Sequence, residues 1–344
     1  MNDMIKIVLA FFVALGISFA LMPFAKLFAE KIGAIDVPKD ARRMHKEPIP
    51  RLGGVGIYLG FLASFMFFGV LTPEILGILA GTLIIVIVGI FDDRKPMKAS
   101  VKFIFQIVAA TVVALCGVKI EVFTNPLLFS SQEYLVLGSL SIPITVLWIC
   151  AVTNAVNLID GLDGLAAGVA SISSVCLLVI ALMVSEANIA VFTACIAGAC
   201  IGFLPYNMNP AKMFMGDSGA LFLGFALACI SIEGVFKAYA VISFAVPLLV
   251  LALPIFDTSI AILRRIKNKK PIMQPDRGHL HHKLIDMGFN QKQAVFILYT
   301  IAGILGVSAI ILTRFGYIAA IFTLVIVLAI ILIAILIKKL KKKG

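Results

Sequence analysis

The chain has 344 residues, of which 61% are hydrophobic and only 14% are charged, and its formal net charge is +11. Soluble globular domains carry about 25% charged residues, so this composition excludes a soluble protein and predicts an integral membrane protein. The apolar runs are long and unbroken, which predicts spanning helices rather than the short alternating strands of a membrane β-barrel. The six Cys all lie in apolar runs without a C-x-x-C pair, so no disulfide or zinc framework is predicted.

Taken in chain order, the apolar runs predict an all-α polytopic fold with about eleven transmembrane helices in a single transmembrane domain. The predicted spans are about 4–26, 52–71, 74–91, 101–117, 142–158, 164–184, 189–206, 218–234, 238–263, 293–312 and 317–337. The first run lacks a basic leading segment and a clear small-residue cleavage site, so we expect a span there and not a signal peptide.

Lys and Arg are distributed very unevenly between alternate connections, with 25 on one side and 4 on the other. Because basic residues mark the cytoplasmic side, we expect the N-terminus outside the plasma membrane and the C-terminus in the cytoplasm. This topology accounts for the positive net charge without a nucleic acid. Ten of the eleven Asp lie on the same side, which favours a site that holds a cation and a polyanion together. The cytoplasmic loops predicted to form this site are 27–51, 92–100, 158–163, 207–217 and 264–292.

Two adjacent acids, Asp92 and Asp93 in the string IVGIFDDRK, stand where the third predicted helix leaves the membrane. Adjacent carboxylates repel each other, so the pair favours a nearby cation. A plain solvated helix end is the alternative interpretation.

Four polar residues recur at every third position around the string NLIDGLDG: Asn154, Asn157, Asp160 and Asp163. On a helix this spacing turns neighbouring members toward the same region, and the intervening glycines let the backbone approach a ligand. A polar turn in which Asp163 caps the next helix is the alternative, and it accounts for one acid but not for both.

The string FMGDSGA opens the eighth predicted helix with Asp217. Free N–H groups at a helix start favour an anion or a phosphate, although an Asp there is also an ordinary cap. Phe214, predicted at an exposed loop tip, either stacks on a flat base or is an interfacial aromatic.

Three of the four His in the chain, His279, His281 and His282, lie in the last large cytoplasmic connection. With Arg277 beside them they predict a cationic clamp for phosphates. Zinc is the rival for an H-x-H-H pattern, but no Cys lies nearby and the adjacent positive charge opposes a second cation.

Two other charged positions carry open alternatives. Lys46 and Arg51 lie in the first connection, which is either part of the phosphate site or a solvated positive-inside loop. Asp257 lies within the ninth predicted span, where a carboxylate is costly and usually functional, and both chemistry and helix packing are open for it.

The order of these motifs along essentially the whole chain resembles the polyprenyl-phosphate N-acetylhexosamine-1-phosphate transferases. That family uses Mg²⁺ to transfer a sugar 1-phosphate from a UDP-sugar to a lipid phosphate, with release of UMP. The string HLHH without a following acid resembles the branch that initiates teichoic acid, O-antigen and related polysaccharides from UDP-GlcNAc. The alternative is the peptidoglycan translocase branch, which takes UDP-MurNAc-pentapeptide. The Lys that this translocase has four residues after its first Asp is Pro96 here, with Lys95 and Lys98 as candidate replacements.

The resemblance implies a role for each matching residue. It implies Asp217 and Asp93 as ligands of Mg²⁺, or of Mn²⁺ in its place. The implied catalytic residues are Asp92, Asp93, His279, His281 and His282. The implied substrate-binding residues are Lys46, Asn157, Asp160, Asp163, Asn207, Phe214 and Arg277.

The hypothesis that follows is a one-step attack of the lipid phosphate on the UDP-sugar, with Asp92 as general base; a two-step route through a covalent Asp intermediate stays open. The partners are the UDP-sugar donor, the polyprenyl phosphate acceptor and membrane lipids, with a homodimer left open. A secondary transporter is the alternative from another class. Transporter acids usually lie near the bilayer midplane in repeated halves, whereas these acids gather at helix ends and no repeat is visible.

Overall fold

The computed structural model describes residues 2–38, 47–124, 134–236, 245–269, 271, 278–316, 318, 321 and 325. Within these ranges the chain forms twelve α-helices: α1 (Asp3–Ile32), α2 (Gly53–Phe68), α3 (Pro73–Arg94), α4 (Ala99–Leu115), α5 (Ser141–Ile159), α6 (Leu165–Met183), α7 (Ala187–Asn207), α8 (Gly216–Ser231), α9 (Ala245–Val250), α10 (Ala252–Lys267), α11 (Leu280–Asp286) and α12 (Gln291–Phe315). A 3₁₀ turn at Gly138–Leu140 precedes α5, and a π-helical segment at Ile232–Phe236 follows α8.

Seven helices in the described part of the chain are long and apolar enough to cross a bilayer: α1, α3, α5 with its preceding 3₁₀ turn, α6, α7, α8 with the start of the π segment, and α12. The shorter apolar helices α2 and α4 match two more predicted spans. The prediction of an all-α, multi-pass membrane protein is therefore confirmed. The number of eleven spans and the orientation of the termini stay predictions, and most of the last predicted span, 317–337, lies outside the described residues.

The prediction of one continuous ninth span over 238–263 is wrong. α9 ends at Val250, Leu251 leaves the helical conformation at φ −104° and ψ 14°, and α10 begins at Ala252. Proline has no N–H to donate to the carbonyl four residues earlier, so Pro254 cannot close a helical hydrogen bond with Val250. Residues 238–244 of this predicted span lie outside the described residues.

Two short antiparallel strand pairs accompany the helices. β1 (Ile35–Asp36) pairs with β2 (Ile49–Pro50), and β3 (Val122–Thr124) pairs with β4 (Tyr134–Val136). These strands have two or three residues each, too few to show an alternating pattern in the sequence. The first pair lies inside the predicted loop 27–51, which begins within the last turns of α1, and it carries the chain directly to Arg51.

The centre of the molecule is α8, which packs against α2, α3 and α5. Of its sixteen residues only Asp217 is not buried. Rings from three helices fill the space beside it, with Phe61 of α2 in contact with Phe192 of α7 and Phe222 of α8. Because the rest of α8 is enclosed, its first turn presents one carboxylate at the end of the helix.

Candidate active site

The start of α8 is held by Asp93 at the end of α3. The two oxygens of this buried carboxylate accept hydrogen bonds from the N–H groups of Asp217, at 2.8 Å, and Ser218, at 3.0 Å. Gly216 has a left-handed φ of 71°, and a Cβ there would overlap the Asp93 carboxylate and the carbonyl of Arg51. The expectation that these two N–H groups are free for a phosphate is therefore wrong, because Asp93 already accepts from both.

Lys102 of α4 joins the other two acids. Its Nζ donates to Asp217 Oδ2 at 2.6 Å and to Asp92 Oδ2 at 3.2 Å. The second oxygen of Asp92 accepts the N–H of Met97 at 2.7 Å, which fixes the carboxylate. Each Asp of the pair at 92 and 93 thus has different partners, although the two are adjacent in the sequence.

The motifs in the sequence do not indicate Lys102, because it resembles the other basic residues at the cytoplasmic end of a span. The signal that identifies it is its position in the first turns of an apolar helix, where a charged residue is costly and usually functional. The two candidate replacements for the missing lysine at Pro96, Lys95 and Lys98, are exposed.

Arg51 supplies the second positive charge. Its Nη2 lies 3.7 Å from Asp93 Oδ1 and 3.9 Å from Asp217 Oδ1. Burial by itself lowers the pKa of this guanidinium, but the surrounding carboxylates, Asp93 first, raise it above the usual range. Arg51 therefore stays charged, and the site holds three carboxylates and two positively charged side chains, Arg51 and Lys102.

The carboxylate oxygens of Asp92 and Asp217 are donors of the kind that bind a divalent cation such as Mg²⁺. In the described part of the chain no three His, Cys, Asp or Glu side chains are grouped to hold a metal, but Asp92 and Asp217 share one cation, the Lys102 ammonium. Mg²⁺ is usually bound by one or two carboxylates together with water and substrate phosphates. The ligand role of Asp93 stays a prediction.

The turn between α5 and α6 sends its two acids to different neighbours. The pKa of the half-buried Asp160 is raised to about 7, mainly by burial and then by the negative charge of Asp217, while Arg51 acts in the opposite direction. Asp163 Oδ2 instead accepts from Asn209 Nδ2 at 2.9 Å and from the N–H of Ala211 at 3.1 Å. The alternative in which Asp163 caps the next helix is wrong, because the residue before α6 is Gly164.

Asn207 and Phe214 are built into the loops around this turn. Asn207 is buried; its Oδ1 accepts the N–H of Gly164 at 3.0 Å and its Nδ2 donates to Met213 O at 2.9 Å. Phe214 is half-buried, and its N–H donates to Pro50 O at 2.8 Å. The expectation of an exposed loop tip at Phe214 is wrong, because its backbone pairs with the end of β2. Its stacking on a base, like substrate binding by Asn207, stays a prediction.

Asp257 fixes the start of the histidine segment. Its Oδ2 lies 2.9 Å from His279 Nδ1, and its Oδ1 accepts the N–H of Leu280 at 2.8 Å. The rings of His279 and His281 are nearly parallel, and their centroids are 5.8 Å apart. The centroid of the His282 ring lies 4.2 Å from that of His281. The open question about Asp257 is thereby answered in part: it connects α10 to α11 and orients one imidazole.

His281 brings this segment against the turn that carries Asp160. A Cβ on Gly161 would lie 2.5 Å from His281 Nε2, so only glycine permits this approach. Burial is the main cause that lowers the pKa of His281 to about 4; the neighbouring His282 and His279 act in the same direction, and Asp257 opposes them. His281 is therefore neutral at pH 7, and the expectation of a cationic clamp is wrong for this residue.

A cavity of about 940 Å³ opens beside the turn. Its lining includes Asp163 with Lys212, Lys26 of α1 and Gln291 of α12. Ligand pockets usually have volumes of about 300–1,000 Å³, so a nucleotide sugar fits by size. Asn157 is half-buried about one turn before Asp160 on α5. Lys46 and Arg277 lie outside the described residues, and their predicted contacts with the substrate stay predictions.

Residues 75–235 match the model of the family described as glycosyl transferase family 4. The chain is 41% identical over 310 residues, 90% of its length and 86% of the relative, to a probable undecaprenyl-phosphate N-acetylglucosaminyl 1-phosphate transferase of Bacillus subtilis. It is 32% identical to a decaprenyl-phosphate N-acetylglucosaminephosphotransferase of Mycolicibacterium smegmatis, with 83% of this chain and 77% of the relative covered. It is 29% identical to an undecaprenyl-phosphate alpha-N-acetylglucosaminyl 1-phosphate transferase of Escherichia coli O157:H7, with 86% and 80% covered.

Proposed function

The chain belongs to glycosyl transferase family 4, and we propose that it transfers N-acetylglucosamine 1-phosphate from UDP-GlcNAc to a polyprenyl phosphate. The products are UMP and polyprenyl-diphospho-GlcNAc, so the reaction is the first lipid-linked step of a cell-wall polysaccharide. The names of the relatives all specify N-acetylglucosamine and a polyprenyl phosphate. They favour UDP-GlcNAc over UDP-MurNAc-pentapeptide and an enzyme over a secondary transporter.

The observation that carries the proposal is the group of Asp92, Asp93 and Asp217 around Lys102 and Arg51. Both reactants are phosphates, so the main task of the site is to hold several negative charges close together. The positive charges of Arg51 and Lys102 offset part of this negative charge. A divalent cation held by Asp217 with Asp92 would supply further neutralisation of the diphosphate when bound.

The chemical step exchanges one phosphoanhydride bond for another. An oxygen of the lipid phosphate attacks the β-phosphorus of UDP-GlcNAc, the bond from that phosphorus to the bridging oxygen breaks, and UMP leaves with the bonding electron pair. A phosphate monoester is largely dianionic at pH 7, since its second pKa is about 6. Proton removal by Asp92 therefore contributes less than positioning of the reactants.

The cavity beside Asp163 is the place we assign to the nucleoside end of the donor, because it adjoins the carboxylate site through the turn at 160–164. The basic connections at this end of the helices support a site that faces the cytoplasm at the plasma membrane, where nucleotide sugars are available. The lipid phosphate reaches the same end from the bilayer.

The test is UMP release by the purified chain in detergent with UDP-GlcNAc, polyprenyl phosphate and Mg²⁺. We expect release that requires both substrates and is lost in Asp217→Asn, whereas Lys292→Met, an exposed lysine in the first turn of α12, should leave it unchanged. UDP-GalNAc and UDP-MurNAc-pentapeptide replace the donor in parallel reactions. Absence of UMP release from every donor would refute the proposal.

The one-step route has its own test. Donor labelled in the sugar is incubated with the protein and Mg²⁺ in the absence of polyprenyl phosphate, and the denatured protein is analysed for label. We expect none. Label bound covalently to an Asp would establish the two-step route instead.

A further inference from the structure

Lys102 occupies the position between Asp92 and Asp217 that the proposed function assigns to a divalent cation. Its ammonium contacts one oxygen of each carboxylate, at 3.2 Å and 2.6 Å. We propose that Lys102 holds this place in the ion-free protein, competes with the divalent cation for it, and leaves it when the cation binds. This inference rests on the proposed function, and it concerns a residue that neither the motifs nor the comparisons single out.

The Lys102 ammonium and a divalent cation cannot both occupy the place between Asp92 and Asp217. Lys102 uses the Oδ2 atoms of Asp92 and Asp217, while the Oδ1 of Asp92 is already bonded to the N–H of Met97. A cation that takes both Oδ2 atoms therefore takes the bonds that the ammonium now makes. Two positive charges at ion-pair distance also repel strongly in a partly buried site.

Lys102 is the cation best suited to move. Its side chain is 21% exposed and stands on a flexible four-carbon stem near the start of α4. Arg51 approaches the same cluster only at 3.7 Å and 3.9 Å, and it is placed beside Asp93 rather than between Asp92 and Asp217. Arg51 thus stays in place while Lys102 exchanges.

Competition has a distinctive signature, because removing the lysine should strengthen metal binding. Mn²⁺ binding to the full chain in detergent is measured by electron paramagnetic resonance without substrates. We expect Lys102→Met to bind Mn²⁺ about tenfold more tightly than wild type. Lys102→Arg, which keeps the charge, and Lys292→Met, an exposed control, should stay within about threefold of wild type. Unchanged or weaker binding in Lys102→Met would overturn the proposal, because a lysine that only orders the carboxylates would help the metal to bind.

A measurement on the wild-type chain keeps the test independent of how the variants fold. Lysines are dimethylated with formaldehyde and a reductant, with and without Mg²⁺, and the rate at each lysine is read by mass spectrometry. We expect Mg²⁺ to speed the modification of Lys102 severalfold and to leave Lys292 unchanged. A Lys102 rate that Mg²⁺ leaves the same or lowers would refute the exchange.

UMP release by the same preparations separates the two proposals. Tighter Mn²⁺ binding in Lys102→Met supports the exchange whether or not wild type releases UMP, because the binding measurement needs no substrate. Failure of the competition in a chain that does release UMP refutes the exchange and leaves the proposed function standing.

Discussion

Asp160→Asn should make this protein more stable and inactive at the same time. The folded protein holds the Asp160 carboxyl with a pKa of about 7, against an ordinary value of 3.8, mainly because the group is buried and also because Asp217 lies near. This rise corresponds to ~4 kcal/mol between the two protonation states. Solvent screening of a half-buried side chain reduces the cost of the ionised form to about 1–2 kcal/mol. The amide that replaces the carboxyl is never charged, so the variant avoids this cost.

The stability of the protein should depend on pH, because the pKa of Asp160 is raised in the folded state. The folded state binds the proton more tightly than the unfolded chain, so the free energy of unfolding falls as the pH rises from about 4 to about 7 and stays low above it. The advantage of Asp160→Asn should therefore be greatest at pH 8 and shrink as the pH falls toward 4. At pH 8 it should raise Tm by roughly 2–4 °C.

The assay is thermal unfolding of the purified chain in detergent with a chelator present, together with UMP release. Asp163→Asn is the matched control from the same turn. Its Oδ2 accepts from both the N–H of Ala211 and Asn209 Nδ2. An Asn oxygen can keep these two bonds but without the charge that strengthens them, so amidation should not raise Tm. A Tm of Asp160→Asn at or below wild type at pH 8, or a gain that is the same at pH 5, would show that the buried charge is not the cause.

Two further predictions concern the histidine segment. Asp257→Asn places an N–H₂ group beside His279 Nδ1, which now has a carboxylate oxygen as its partner. UMP release should therefore fall about 100-fold in a chain that still folds. Activity within twofold of wild type would contradict the role of Asp257 in positioning His279. Gly161→Ala places a methyl group against the His281 ring and should lower kcat at least tenfold, while Gly303→Ala, whose Cβ meets nothing within 4 Å, should behave as wild type. Equal kcat values for the two alanine variants would argue against close docking of His281.

The sequence predicts well what depends on composition and on motif order. A low content of charged residues is enough to predict a membrane protein. The uneven distribution of Lys and Arg then predicts that Asp92, Asp160 and Asp217 lie at the same end of the helices. The resemblance to the transferase family then supplies the reaction, and the relatives support it. None of this requires knowledge of how the helices pack.

What the sequence could not predict depends on packing. Two adjacent residues of a helix point about 100° apart, but only the position of α8 determines that Asp93 binds its backbone while Asp92 meets Lys102. The string HLHH likewise does not predict the protonation state of His281, because that state depends on burial of the ring against Gly161. Lys102 looks like one more basic residue near a membrane surface until α4 places it between two carboxylates.

The fit of Gly216 against Asp93 restricts how related sequences can diverge. A side chain at position 216 would displace the carboxylate that binds the first N–H groups of α8, and loss of that carboxylate would leave those groups without their acceptor. Neither position can change first without harm, so a lineage that leaves this arrangement must pass through a defective intermediate. Across relatives the two positions should therefore be inherited as a pair: Asp at 93 wherever Gly stands at 216, and both replaced together or not at all.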